Sequence, residues 1–265
     1  MAALQPQRPA NPAAAGLDDG GVSPTGGGVT VVVPTFNERD TIIPLLKAVR
    51  AALPEARLLV VDDQSPDGTA EAVRVHRLAD AGVDLLVRAR REGLGPAYID
   101  GFRQALAAGA RAVIQMDADF SHRPEHLPAL LGALRSGADL VLGSRYAAGG
   151  STEGWPWPRR LTSLVGSRYA ALILGLGVRD ATGGFRCWRA ALLARGVERP
   201  LYLRQFGFQI EMLYRARLLG AAVREVPIHF PDRRVGVSKM RFGIAVEALV
   251  GVWRLRLAPR GALVP

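Results

Sequence analysis

The chain has 265 residues, a formal net charge of +10 at neutral pH and a single cysteine. Its length fits one large α/β domain or two small ones, and no internal repeat or linker divides it. Cys187 on its own excludes an intrachain disulfide and a cysteine zinc cluster and reads as a small buried hydrophobe, and no stretch reaches the roughly 18 uninterrupted apolar residues of a spanning helix.

Residues 1–27 are rich in Ala, Pro and Gly and lack the apolar core of a signal peptide, so they read as a disordered tail. With the lone cysteine, this favours a cytoplasmic catalytic domain. Gly28 to Val33 is β-branched and predicts a strand ending at Pro34, with Thr35-Phe36-Asn37-Glu38-Arg39-Asp40 as a loop. Ile42, Leu45, Leu46, Val49 and Leu53 then recur at helical spacing. Arg57 to Val61 predicts a second buried strand, followed by Asp62-Asp63-Gln64-Ser65-Pro66-Asp67-Gly68 and a helix starting near Thr69. Val83 to Val87 predicts a third strand, leading through Gly93-Leu94-Gly95 to a helix from about Pro96 to Ala108. Strand, polar loop and helix alternate four times, and the unusual residues lie beyond each strand's C-terminal end. In an open α/β sheet that edge is where nucleotides bind.

The fourth unit carries the most informative residues. The apolar run Ala112 to Met116 predicts a buried strand, and Asp117-Ala118-Asp119-Phe120-Ser121-His122 follows it. Asp117 and Asp119 are two apart, so in extended geometry both side chains leave one face. Converging carboxylates repel unless a cation lies between them, and hard oxygen ligands favour Mg²⁺ or Mn²⁺. A capping Asp followed by a loop Asp is the plainer alternative.

Taken together, these segments resemble the inverting GT-A glycosyltransferases, and more narrowly the polyprenol (dolichyl) phosphate mannose synthases. Later pieces agree: Gly143-Ser144-Arg145-Tyr146, Asp180-Ala181-Thr182-Gly183-Gly184-Phe185-Arg186, and Val226-Pro227-Ile228-His229-Phe230 through Arg233 to Ser238-Lys239. The likeness spans roughly residues 28 to 241. It implies a Rossmann-like, nucleotide-diphospho-sugar transferase domain at 28–240, with a mostly parallel sheet flanked by helices. It also implies transfer of mannose from GDP-mannose to a polyprenyl monophosphate, with inversion and with Mg²⁺ or Mn²⁺.

By the same resemblance, Pro34, Phe36 and Glu38 meet the nucleoside, and Val61 and Asp63 lie beside base or ribose. Phe36 stands where the family commonly has Tyr. Asp117, Ala118 and Asp119 match the donor and metal segment, Asp119 being the foremost direct ligand, and Ser121 stands where some relatives place Gln. Arg145, Arg233 and Lys239 match positions that contact the donor phosphates, with Asp117, Asp119 and Arg145 as the catalytic set. Asp232 to Lys239 reads as a loop that closes over donor and metal. Arg159 and Ser163 resemble residues near the acceptor phosphate, although Arg160 is an equally cationic neighbour. A lipid monophosphate is largely ionised near neutral pH, with a second pKa of about 6, so it needs no protein base. His122, the one histidine in the metal motif, is expected to orient the loop.

From Arg224 to Pro265 there are eight Lys or Arg against three Asp or Glu. Interleaved is Phe242 to Trp253, an apolar stretch too short to span and flanked by Arg and Trp. Residues 241–265 therefore read either as a basic segment in the interface of an anionic membrane or as a terminal helix docked on the core. The first reading makes the protein peripheral on the cytoplasmic face, with a separate integral membrane protein as a further partner. Nucleic acid is disfavoured, because aromatics are few and the acidic motifs point elsewhere. Three alternatives stand beside mannosyl transfer: a UDP-glucose-dependent enzyme acting on the same lipid, a non-catalytic nucleotide-sugar-binding subunit, and a metal-dependent phosphohydrolase.

Overall fold

The sheet grows outward from β1 (Val29–Thr35), whose alternate valines serve two different cores. Val29, Val31 and Val33 face one apolar layer and Val32 faces the other, as the period of two along a strand requires. Being buried on both faces, the strand reads as an unbroken hydrophobic run. The computed structural model describes residues 21–203, 205, 207–232 and 242–265, without the side chains of 242–248. The expectations for Arg233 and Lys239, for the closing loop 233–239 and for residues 1–20 therefore lie outside the described residues.

β2 (Arg57–Asp62) and β4 (Ala112–Gln115) flank β1 in parallel, and β3 (Val83–Val87) pairs with β2. Beyond β4 come β7 (Arg186–Arg189), antiparallel to both neighbours, then β5 (Leu140–Ser144) and β8 (Val223–Pro227). The order β3-β2-β1-β4-β7-β5-β8 makes a mostly parallel sheet. A two-stranded ribbon joins β6 (Ser151–Glu153) to β9 (His229–Pro231).

Helices cover both faces. Layered on one are α1 (Arg39–Ala52), α2 (Thr69–Arg77) and α4 (Leu127–Arg135). The other carries α3 (Leu94–Ala107), α5 (Trp157–Leu174), α6 (Ala190–Gly196), α7 (Gly207–Leu218) and α8 (Phe242–Leu257), with a short α9 (Arg260–Leu263) after them. Cys187 is fully buried in β7, and burial pushes its thiol up to about 12, so it is inert, as the sequence implies.

The structure departs from the sequence reading at the N-terminal end of the domain. Residues 21–27 are ordered turns: Val22 is buried, Ser23 Oγ donates to Glu55, and the Glu55 amide donates to the Thr25 carbonyl. The ordered part therefore begins before residue 28. At the other end, Val252, Leu255, Leu263 and Val264 enter the core while Leu249, Val250, Trp253 and Leu257 stay exposed. The terminal helix thus docks on the body and still presents an outward apolar face.

Pro34 also differs from expectation, since β1 runs through it to Thr35. The Met116 amide donates to the Val32 carbonyl, and the β1–β4 register ends there. Proline has no N–H to extend that ladder. The two strands part, and the loops after β1 and β4 leave from the resulting crevice. This is the point where the chain's winding reverses, with β2 to one side of β1 and β4 to the other.

α3 crosses the sheet so closely that a Cβ on Gly101 would lie 2.5 Å from Val32 Cγ1 and 2.9 Å from Val61 Cγ2. Helix propensity alone makes Gly→Ala favourable by about 1 kcal/mol. Here overpacking wins, and Gly101→Ala is expected to cost about 1–3 kcal/mol net. A lowered urea midpoint with unchanged m-value checks this; a raised midpoint contradicts the close crossing.

Candidate active site

Among the described residues, three other than glycine have left-handed backbone: Asn37 (φ 59°), Gln64 (φ 59°) and Phe120 (φ 60°). Each lies in the loop after β1, β2 or β4, at the C-terminal edge of the sheet. Such residues are uncommon and costly, Phe especially, and tend to gather where function holds the backbone.

The loop after β2 staples the loop after β1. Ser65 Oγ accepts from the Asn37 amide (3.0 Å), Thr69 Oγ1 from the Glu38 amide (3.0 Å) and Asp67 Oδ2 from the Arg39 amide (3.1 Å). These are orphan donors at the start of α1, capped here by another loop. Buried Asp62 accepts from Thr35 Oγ1 and from the amide and hydroxyl of Ser65. Most of Asp62-Asp63-Gln64-Ser65-Pro66-Asp67-Gly68-Thr69 is therefore scaffold. Asp63 is the exception: its carboxylate meets Arg88, which also donates to Asp100 (2.8 Å) and Glu92 (3.1 Å). Burial pulls the Arg88 pKa down, but Asp100 and Asp63 outweigh it and the net shift is upward. Phe36, half-buried, carries the Arg91 guanidinium 3.5 Å above its ring. The Val61 side chain is fully buried under α3, so it is the backbone there that a ligand could meet.

The metal motif is built from several directions. Tyr98, wholly buried on α3, donates from its hydroxyl to Asp117 Oδ1 at 2.7 Å. Burial first, then Asp117, raises its pKa well above 10, so the phenol stays a donor. The Asp117 amide donates to His122 Nδ1 at 2.9 Å, which leaves the neutral ring its proton on Nε2. His122 thus orients the loop, as expected. Ser121 donates both its amide (3.0 Å) and its hydroxyl to Asp119 Oδ1. It fixes a carboxylate, a different task from the ligand role open to a Gln. The donor set is oxygen only, which fits a hard divalent ion such as Mg²⁺ or Mn²⁺. Among the described residues, no third His, Cys, Asp or Glu completes a ligand cluster. Ala118, between the two acids, is buried and offers a ligand its backbone.

Arg145 is more constrained than a phosphate clamp read from sequence. Its Nε and Nη2 each donate to Asp180 at 2.7 Å, and Nη2 also reaches Thr182 Oγ1 at 2.8 Å. Burial lowers the Arg145 pKa, yet Asp180 outweighs it and the net shift is upward. For Asp180, burial raises and Arg145 lowers, with a net lowering. The Arg145 guanidinium lies 5.2 to 5.5 Å from the rings of Tyr146, Trp155 and Phe230. Arg159 shares Trp155 at 4.1 Å and pairs with Asp232 at 2.7 Å. One turn along α5, Ser163 is half-buried, whereas Arg160 points to solvent.

Rings connect the two halves. His122 stacks on Phe185 (4.9 Å) and meets Phe230 edge-on (5.6 Å), and Phe230 reaches Arg145 and Trp155. Asp117, Asp119, Arg145 and Arg159 therefore belong to one contiguous site. No local pattern in the sequence marks Tyr98 or Trp155 as part of this site, and Arg88 and Asp180 stand in the sequence only as members of polar loop segments. The Arg145–Asp180 pair yields a direct expectation. Breaking a buried pair leaves an uncompensated charge and costs about 3–5 kcal/mol, so Asp180→Asn should lose that much in chemical denaturation. Arg160→Ala, at the surface, should stay within about 0.5 kcal/mol. Equal small effects would mean that the pair is not buried.

The family model described as Glycosyl transferase family 2 matches residues 30–196. Undecaprenyl-phosphate mannosyltransferase of Micrococcus luteus is 44% identical over 232 residues, covering 88% of this chain and 95% of that protein. Polyprenol monophosphomannose synthase of Mycolicibacterium smegmatis is 40% identical over 245 residues, covering 91% and 92%. Among solved structures, glucosyl-3-phosphoglycerate synthase from Mycobacterium tuberculosis, in complex with Mn²⁺, UDP and phosphoglyceric acid, superposes with a TM-score of 0.67. It shares 22% identity and covers 92% of this chain and 84% of its own, a likeness of fold.

Proposed function

This chain belongs to glycosyl transferase family 2, and on that footing we propose that it transfers mannose from GDP-mannose to a polyprenyl monophosphate with inversion at the anomeric carbon. The names of the two relatives, at 40% and 44% identity over nearly their whole lengths, support the sugar and the lipid acceptor. The observation that carries the reading is the carboxylate pair Asp117 and Asp119, held at the strand crevice and joined by ring contacts to Arg145 and Arg159.

The nucleoside is assigned to Pro34, Phe36, Glu38, the backbone at Val61, and Asp63. Arg91 must leave the face of Phe36, or share it, when a base stacks there. The diphosphate is assigned to Ala118, Arg145, Arg233 and Lys239, and the acceptor phosphate to Arg159 and Ser163. Three N–H groups of Arg145 are engaged by Asp180 and Thr182; those on Nη1 are given to a phosphate oxygen. A Mg²⁺ or Mn²⁺ ion held by Asp117 and Asp119 supplies charge neutralisation at the leaving diphosphate when bound. The acceptor's phosphate oxygen attacks the anomeric carbon on the face opposite the departing GDP. That oxygen is already ionised, with a second pKa of about 6, so positioning and cationic stabilisation replace a protein base.

A donor screen tests the proposal. With polyprenyl phosphate and Mg²⁺ or Mn²⁺, GDP-mannose is expected to be consumed and UDP-glucose left intact, EDTA should stop the reaction, and Asp119→Ala should lower kcat/KM by roughly 10²-fold or more. Preference for UDP-glucose, or full turnover in excess EDTA, contradicts it.

We also propose that the protein works peripherally on the cytoplasmic face of a membrane. No helix among the described residues is long and apolar enough to cross one. α5 nonetheless carries exposed Trp157 (75%), Leu161, Val165 and Leu172 (82%), spaced along one side. It packs against α8, which adds Leu249, Val250, Trp253 and Leu257 (77%). Exposed Arg160, Arg168, Arg254 and Arg256 accompany them, a composition suited to an anionic interface. Because Val252 and Leu255 are core, point variants probe this face better than truncation. Leu172→Glu with Trp253→Glu should weaken binding to anionic vesicles about tenfold or more, given about 1.5–3 kcal/mol per buried large apolar side chain. Transfer to long-chain polyprenyl phosphate should fall while transfer to a short soluble analogue holds. Equal losses on both acceptors would contradict a membrane role.

A further inference from the structure

Asp117 is the more open of the two acids, with 28% of its side chain exposed. A carboxylate so placed can rotate and take its hydrogen bonds from water, yet it takes one from the centre of the core. The Tyr98 hydroxyl reaches Asp117 Oδ1 at 2.7 Å from a ring with no exposed surface. That ring cannot shift to follow the carboxylate. It is stacked between Phe102 of its own helix (5.6 Å between centroids, 30° between planes) and Phe208 of α7 (5.4 Å, 26°). The hydroxyl is therefore delivered at a fixed point, and it fixes the plane and rotamer of the carboxylate that accepts it.

The opposite oxygen is treated differently. The nearest nitrogen of His122, Nε2, lies 3.9 Å from Oδ2, beyond hydrogen-bond range. Beside Oδ2 stands Gly184. A Cβ on Gly184 would lie 3.0 Å from Gln209 Nε2 and 3.3 Å from His122 Cε1, both tight, and 3.7 Å from Oδ2, an ordinary contact. The glycine thus spares Gln209 and His122 a tight contact, and no side chain from this position stands against Oδ2. One oxygen of Asp117 is anchored, and the other is presented.

We propose that Tyr98 is a positioning residue for the donor site, its hydroxyl holding Asp117 so that Oδ2 alone is offered to the divalent ion of a metal–nucleoside diphosphate. This rests on the metal reading given above and adds a residue to it. Tyr98 touches neither donor nor acceptor; it acts through Asp117. Because the tyrosine is on α3, which begins just beyond Gly93, the hydrogen bond also ties that helix to the metal motif across the β1–β4 crevice. Outer hydrogen-bond partners of metal ligands are worth about 10–100-fold in metal affinity, and Tyr98 is expected to fall in that range.

The test is Mn²⁺ binding, read by electron paramagnetic resonance from the free-ion signal in the presence of GDP, on the full chain. Tyr98→Phe removes only the hydroxyl and keeps both ring stacks. It is expected to weaken Mn²⁺ binding about 10–100-fold, to raise the Mn²⁺ concentration for half-maximal activity by a similar factor, and to recover much of kcat at saturating metal. Phe102→Leu is the counterpart, since it loosens the stack and leaves the hydroxyl in place. It should lower thermal stability more than Tyr98→Phe does and change Mn²⁺ affinity less. Wild-type Mn²⁺ affinity in Tyr98→Phe would overturn the role of Tyr98 and leave the metal reading intact. Weakening that follows stability across the two variants would reduce Tyr98 to packing and likewise overturn it. If the unaltered protein binds no Mn²⁺ with GDP, the metal reading itself fails and takes the Tyr98 assignment with it.

Discussion

Two carboxylates two residues apart, at the end of a buried strand, set the terms for everything around them. Asp117 and Asp119 carry like charges in a setting where water screens them only partly. The protein answers with hydrogen-bond donors. Tyr98 serves Asp117, and the Ser121 amide and hydroxyl serve Asp119. The turn that lets Ser121 fold back on Asp119 passes through Phe120 with φ at 60°, a conformation a phenylalanine adopts at a cost. That strain fits a motif whose side-chain directions matter more than its local stability.

Positive charge in the site is handled with the same economy. Arg145 is closed onto Asp180, Arg88 is held among Asp63, Glu92 and Asp100, and Arg159 leans on Trp155 and Asp232. Each cation is fixed by a carboxylate, so under the proposed assignment little reorganisation is needed when phosphate charge enters. Aromatic rings complete the frame. His122, Phe185, Phe230 and Trp155 form a continuous set of contacts from the metal motif to the arginines. A shift at one end would therefore be felt at the other, which suits a reaction that brings donor and acceptor phosphates together.

What could be read from the sequence follows from which interactions are local. The strands β1, β2 and β4 are buried on both faces, and α1 shows its buried stripe at Ile42, Leu45, Leu46 and Val49, so the Rossmann-like half is plain from periodicity. The acids beyond each strand mark the crevice for the same reason. α7 hides itself, because Gly207 through Ala216 is buried on every side, including Gln209, Glu211 and Arg215, and leaves no polar face to reveal a period. The partner of Arg145 lies 35 residues away at Asp180, and that of Asp117 lies 19 residues back at Tyr98. No local pattern connects either pair. Asp62 and Asp63 look equivalent in sequence, yet one ties two loops together and the other faces Arg88, a division decided by strand alternation and by β3. Residues 21–27 read as tail because their anchoring runs through backbone groups, the Ser23–Glu55 hydrogen bond and a buried Val22, none of which leaves a periodic pattern.

Product stereochemistry tests the central claim most directly. The chain is incubated with α-linked GDP-mannose, polyprenyl phosphate and Mg²⁺ or Mn²⁺, and the anomeric configuration of the lipid product is read from its one-bond carbon–proton coupling by NMR. Direct displacement by the phosphate oxygen predicts a single product, β-linked polyprenyl phosphate mannose, with GDP released in equal amount. An α-linked product, or free mannose in place of the lipid-linked sugar, would contradict it.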